Sequence, residues 1–233
     1  MATFAHGTST LMQVPTDKLH VVGDRIIVAC TGSVGLAQRF VGIVEEQWKL
    51  KVIFNKSAMT CAKSLSKFTI EDFQSTHVQR TQNIGIDFGA MVAAPLNDRP
   101  HLIEYDTVNF QPEIRQGKLN FLSMGGGQIL AEPFLAFINR VLWKSEIPDV
   151  KTAVFGVFWA LSYALEIAPG GVGHPIEIAT LKKRGGQWKA ELLSKEILQE
   201  QGQHISDVEN RIGDLPAEVI KQAGGEEPPA PPA

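Results

Sequence analysis

Between Ile26 and Trp48 the apolar residues change period within the space of three positions, and no other stretch limits the possible folds as tightly. Ile26 to Cys30 is a short, continuous apolar run suited to a buried strand, and Thr31-Gly32-Ser33 breaks it. From there Val34, Ala37, Phe40, Val41, Val44 and Trp48 fall three or four apart, while Gln38, Arg39, Glu45 and Glu46 can face water, which predicts a helix. Ser33 is placed to cap it, its hydroxyl accepting a hydrogen bond from a first-turn amide. Gly32 permits the sharp turn of the backbone from strand into helix.

Ahead of this junction, Phe4 to Gln13 is rich in Thr, Ser and Gly without a clear period and reads as a loop or a weak strand. Beyond it, helices are predicted over Ser57 to Phe68 and Ile70 to about Val78. Ile84, Ile86, Phe88 and Ala90 then alternate with Gly85, Asp87 and Gly89, the repeat of a half-buried strand. The turn residues Pro95 to Pro100 and an extended pattern from His101 to Tyr105 complete an antiparallel hairpin. A strand over Lys118 to Ser123 ends at Gly125-Gly126-Gly127, helices follow over Gln128 to Trp143 and Val150 to Ala168, and strands close the series over Ile176 to Leu181 and Trp188 to Leu193. Strands grouped into hairpins argue for antiparallel sheets, and four long helices need two outer layers, so the expected architecture is a four-layer αββα sandwich.

Thr152 to Leu165 carries no charge, yet it is shorter than the roughly 20 residues that cross a bilayer and reads as a core helix. Gln203 to Gln222 is predicted to be a surface helix, interrupted at Pro216, and Gly224 to Ala233 (GGEEPPAPPA) is too poor in apolar residues to order itself. The domain expected is 1–222, with 223–233 a disordered Pro/Ala-rich tail.

The chain is long enough to bury a core without metals or disulfides. Its formal charge of −3 gives no general attraction to nucleic acid or anionic lipid. Two cysteines make no disulfide framework, and the N-terminus shows no signal core, so a reduced cytoplasmic location is expected. The six histidines, His6, His20, His77, His101, His174 and His204, lack zinc spacing, and Gly125-Gly-Gly127 lacks the Walker lysine, so neither a metal nor a nucleotide cofactor is expected.

Lys18 followed by a strand, the turn at Gly32 and a helix reaching Phe40 resembles the corresponding segment of proteasome-type N-terminal-nucleophile hydrolases. The same order of hairpins, glycine turn, paired helices and closing strands runs from about Lys18 to Leu193. This resemblance implies the αββα sandwich with its first strands missing, because the family places two strands before the lysine and here only seventeen residues precede it. It also implies either that the native start lies upstream or that a partner covers the gap.

In that family a terminal threonine hydroxyl attacks an amide carbonyl, its own amine serves as base, and a nearby lysine ammonium eases the developing charge. Lys18 matches the lysine, with a surface lysine at a strand start as the alternative. Gly32 matches the oxyanion donor, whose backbone amide meets the charge of the tetrahedral intermediate; alternatively it serves the turn alone. Cys30 matches the base of the pocket that receives the substrate side chain, and Thr3 the threonine beside the cleft where an extended peptide pairs.

Three positions depart from the family pattern. Gly126 stands where a supporting serine is expected, Pro169 replaces a second serine while Glu166 keeps a carboxylate, and Ala2, exposed if Met1 is removed, has no hydroxyl. The resemblance therefore implies a threonine-type peptidase subunit lacking its nucleophile as written, or a noncatalytic scaffold. In either case it is expected to act on or hold peptide and to assemble with identical copies, in a ring if the family is followed.

Overall fold

The computed structural model describes residues 2–6, 10–14, 17–75, 87–117, 120–167 and 173–222. The expected disordered tail lies outside these residues. Contacts divide the chain into two compact units, Met1–Leu193 and Ser194–Ala233.

In the first unit, β1 (Ala2–His6) and β2 (Thr10–Val14) form an antiparallel hairpin, with Ala2 opposite Val14 and His6 opposite Thr10. The stretch read as a loop or weak strand is thus two paired strands ahead of Lys18. They form a sheet of their own and widen neither of the others.

The central sheet has the order β3 (Leu19–Val22), β4 (Ile26–Gly32), β5 (Phe88–Leu96), β6 (Arg99–Tyr105) and β7 (Pro112–Arg115), antiparallel throughout. The strand expected over Lys118 to Ser123 is replaced by β7, while 120–123 has no regular structure. Two helices cover this sheet, α1 (Val34–Leu50) and α2 (Ala58–Ser75). Helix α2 is one element where two were expected. Thr69, read as part of the break, satisfies its hydroxyl inside the helix by donating to the Leu65 carbonyl at 2.7 Å.

The core between helices and sheet is aromatic. Phe40 of α1 meets Phe88, Tyr105 and Phe110, each at a ring-centroid distance of 5.7 Å. All four rings are fully buried, and each such side chain contributes roughly 2–3 kcal/mol by leaving water. Tyr105 donates its hydroxyl to the Ala62 carbonyl, so its one polar atom is not stranded.

A second antiparallel sheet, β8 (Ala179–Arg184) and β9 (Gln187–Leu192), packs on β4 and β3, and α4 (Val150–Ile167) packs on β8 and on α3 (Gln128–Val141). The layers run α1–α2, five-stranded sheet, two-stranded sheet, α3–α4, which is the expected αββα arrangement with a narrow second sheet. Helix α4 is long and apolar enough to cross a membrane by length and composition alone. Its buried residues, Val154, Gly156, Trp159, Ala160 and Ala164, take up more than half of its circumference, and its other apolar residues are partly covered or, at Val150 and Ile167, exposed. Gly156 matters for this packing, because a Cβ there would lie 2.8 Å from the Trp143 ring and 2.9 Å from Ile138.

Both sheets are tied at their turns. The Ala190 amide donates to the Asp24 carbonyl at 2.7 Å, and Asp98 of the β5–β6 turn accepts from Lys183 Nζ at 2.6 Å and Trp188 Nε1 at 2.9 Å.

In the second unit, α5 (Lys195–Gln222) is a single helix. It begins before the expected Gln203 and runs past Pro216 without interruption.

Candidate functional site

Strand β4 delivers its last residues, Cys30, Thr31 and Gly32, to the start of α1, and the edge strand β3 runs beside it. The Cys30 amide donates to the Lys18 carbonyl at 2.9 Å, so Lys18 and Cys30 are paired across the two strands. Alternation along the strand brings Lys18 and His20 to one face. A cavity of about 330 Å³ opens there, lined by Asp17, Lys18, His20, Cys30, Thr31, Gly32, Val34, Ala37 and Gln38.

Lys18 is half-buried, and desolvation lowers its pKa from the ordinary value, because burial strips water from the ammonium. Among the described residues no carboxylate forms a salt bridge with it. A desolvated lysine gives up or shares a proton more readily than one in water, which is the property required of a lysine in proton transfer.

Cys30 is buried, and its thiol is pushed up to about 12 by desolvation. It forms a small neutral surface at the cavity wall, and it is a poor nucleophile in the folded chain.

Gly32 has φ +86°, and a Cβ built there would fall 2.1 Å from the Asp87 carbonyl oxygen. The turn therefore demands glycine whatever else the position does. The next amide, Ser33 N, donates to that same Asp87 oxygen at 2.8 Å and is not free to face the cavity. Ser33 stands at the N-cap of α1, but its side chain makes no capping bond, contrary to the expectation from sequence. The first turn of α1 carries no acidic residue either, so no carboxylate of the helix itself offsets its positive end.

The triple-glycine turn reaches the same place. Gly125 has φ +85°, and a Cβ on it would lie 2.7 Å from Thr31 Oγ1. The segment before α3 is therefore pressed against the residue preceding Gly32. Gly127 is the N-cap of α3 and, having no side chain, makes no cap bond.

Lys18, Cys30 and Gly32, singled out in the sequence, thus meet at one cavity. Thr3 lies in β1 opposite Gln13, and only its backbone is described. Glu166 is exposed near the end of α4, and Pro169 lies outside the described residues. His20, Thr31, Val34, Ala37 and Gln38 were not anticipated as lining residues. Two signals in the sequence point to all of these but Thr31: position 20 is two along a strand from Lys18, and positions 34, 37 and 38 share one helix face. Among the described residues no group of three or more His, Cys, Asp and Glu is placed to hold a metal ion.

A family model described as Proteasome subunit matches residues 2–135. No curated protein matches the sequence. Among solved structures, the Anbu complex from Pseudomonas aeruginosa, described as a helical assembly, is 13% identical with a TM-score of 0.63, over 99% of this chain and 91% of that one. Anbu from Hyphomicrobium sp. strain MC1 is 14% identical with a TM-score of 0.63, over 91% and 89%. Anbu from Yersinia bercovieri, described as an ancestral beta-subunit, is 13% identical with a TM-score of 0.58, over 88% of each chain.

Proposed function

The chain belongs to the proteasome subunit family, and from that premise we propose that the cavity at Lys18, Cys30 and Gly32 is a site of amide-bond hydrolysis of the N-terminal-nucleophile type. The observation that carries this reading is the half-buried Lys18, without a carboxylate partner among the described residues, set across the strand pair from Cys30 at the cavity that Gly32 closes. Retaining an ammonium in such a place costs desolvation energy and adds nothing evident to packing.

In this mechanism a peptide pairs along the edge strand β3, its side chain enters the cavity toward Cys30, and its carbonyl meets the positive end of α1 beside Gly32. A terminal hydroxyl or thiol attacks the carbonyl carbon and its proton passes to the terminal amine. Lys18 lowers the cost of the charge that forms. The carbon–nitrogen bond of the substrate then breaks, the amine leaves with a proton, and water releases the acyl group.

The test is labelling of the natural protein by an electrophile that requires an amine and a hydroxyl on the same terminal residue, followed by mass measurement. One adduct per chain at the N-terminal residue, lost in Lys18→Ala, supports hydrolysis. Absence of any adduct removes it.

A second reading, a noncatalytic subunit, is favoured by one feature: Gly126 offers no hydroxyl where catalytic relatives carry serine. Both readings include assembly with identical copies, supported by the outer stripe of α3, where Ile129 is 80%, Phe137 42% and Val141 47% exposed. With the exposed Pro133 between Ile129 and Phe137, these positions recur every four residues and form an apolar surface that association would cover.

A further inference from the structure

Lys18, His20, Thr31 and Gln38 bring polar side chains to one cavity with their bonding capacity unspent. Among the described residues none of the four is engaged through its side chain in a hydrogen bond or an ion pair. All four are donors: the ammonium of Lys18, a ring N–H of His20 in either tautomer, the Thr31 hydroxyl and the Gln38 carboxamide. The acid at the cavity, Asp17, is exposed and makes no ion pair with Lys18 among the described residues, so it does not cancel the ammonium.

Their order along the elements gives the cavity a direction. Lys18 stands beside Cys30, two residues from Gly32, where the mechanism above sets the peptide carbonyl. His20 is two residues farther along β3, opposite Val28, and the exposed Gln38 is one helical turn beyond Val34 at the start of α1. A side chain that enters at Gly32 therefore runs past Cys30 toward His20 and Gln38.

We propose that the cavity selects a peptide whose entering side chain ends in a carboxylate, with His20 and Gln38 determining the selection. This deepens the reading above and rests on its placement of the peptide along β3. A carboxylate is acceptor-only when ionised, and its two oxygens offer about four lone-pair directions to the waiting donors. A carboxamide has one oxygen and turns an NH2 group toward donors. An aliphatic side chain dries the donors without partnering them, which costs free energy, and a second ammonium is repelled by Lys18.

The test is calorimetric titration of the full-length chain at neutral pH and low salt, which needs no turnover. The ligands are acetylated, amidated tripeptides of two alanines followed by glutamate, glutamine, leucine or lysine. Glutamate binds about tenfold tighter than glutamine, leucine binds more weakly again, and lysine does not bind. A further peptide, ending in leucine with a free terminal carboxylate, separates a side-chain carboxylate from a chain end and binds no better than its amide. His20→Leu and Gln38→Leu each narrow the gap between glutamate and glutamine. Gln38→Lys, at an exposed position, widens it severalfold, a gain that a misfolded chain cannot produce. Binding of no peptide, a preference for glutamine or leucine, equal binding of the free-carboxylate peptide, or no gain in Gln38→Lys overturns the proposal. Terminal labelling reports the hydrolase reading separately. A chain that takes no label yet selects glutamate keeps this selection and loses the chemistry, and a labelled chain that selects leucine does the reverse.

Discussion

Gly32 is the residue with the least latitude in the site. A methyl group there meets the Asp87 carbonyl oxygen at 2.1 Å while the backbone stays at φ +86°, so Gly32→Ala has to displace either β5 or the start of α1. The expected loss is about 2–4 kcal/mol, read from chemical denaturation. Lys18 should behave in the opposite way. Lys18→Met leaves folding stability within about 0.5 kcal/mol near neutral pH, as its ammonium makes no ion pair among the described residues, yet it removes terminal-electrophile labelling. The lowered pKa fixes the sign of the pH dependence. Between the folded value and 10.5 the unfolded chain holds a proton that the folded chain has released, so stability rises with pH across that window, and Lys18→Met flattens the rise. Lys18, Cys30 and Gly32 were legible in the sequence because the order of lysine, strand, glycine turn and helix from Lys18 to Phe40 resembles that of the proteasome-type family. Thr31 became visible only when the cavity showed which end of β4 faces it. Ser33 was placed correctly as a cap and credited with a bond it does not make.

Among the elements, α3 holds an exposed proline in its interior, Pro133, which leaves the Ile129 carbonyl without its intrahelical donor. Pro133→Ala restores the donor, and the expected gain is about 1–3 kcal/mol in denaturation midpoint analysis, with the helix content of the far-ultraviolet spectrum unchanged or higher. The strongly periodic helices α1, α3 and α4 were readable to within a few residues, since their apolar spacing persists over four or five turns. The misreadings fall where local signals are weak or borrowed. Strand β7 is four residues at a sheet edge and opens on a proline, so its pairing with β6 comes from the sheet rather than from its own pattern. The N-terminal hairpin joins two stretches that have no period of their own but pair through the backbone. Helix α2 was divided at a β-branched residue whose hydroxyl finds a partner one turn back. Helix α5 begins eight residues ahead of its expected start at Gln203, with Glu196 in its first turn, where a carboxylate suits the positive helix end.

At the scale of the whole sandwich, the two sheets are fastened at their turns. Asp98 binds Lys183 and Trp188 of the second sheet, and the hydrogen bonds they donate hold its carboxyl below the ordinary carboxylate value of 3.8. That contribution is present above pH 3.8 and fades as the pH drops through the lower folded value. Asp98→Ala should leave the five-stranded sheet intact and speed hydrogen exchange at the Ala190 amide, which donates to Asp24 on the far side of the same hairpin. Unchanged exchange there would show that the clasp carries no restraint. Layer order was legible from the grouping of hairpins and helices, whereas the side chains that couple one layer to the next lie far apart in the chain and leave no local pattern.

Gly156 admits the Trp143 indole where α4 crosses beneath the end of α3. Neither residue can change size by itself: a methyl at 156 evicts the ring, and a smaller ring leaves a void. Descendants of this chain should therefore exchange the two in tandem, and a bulkier residue at one site should be found beside a slimmer one at the other.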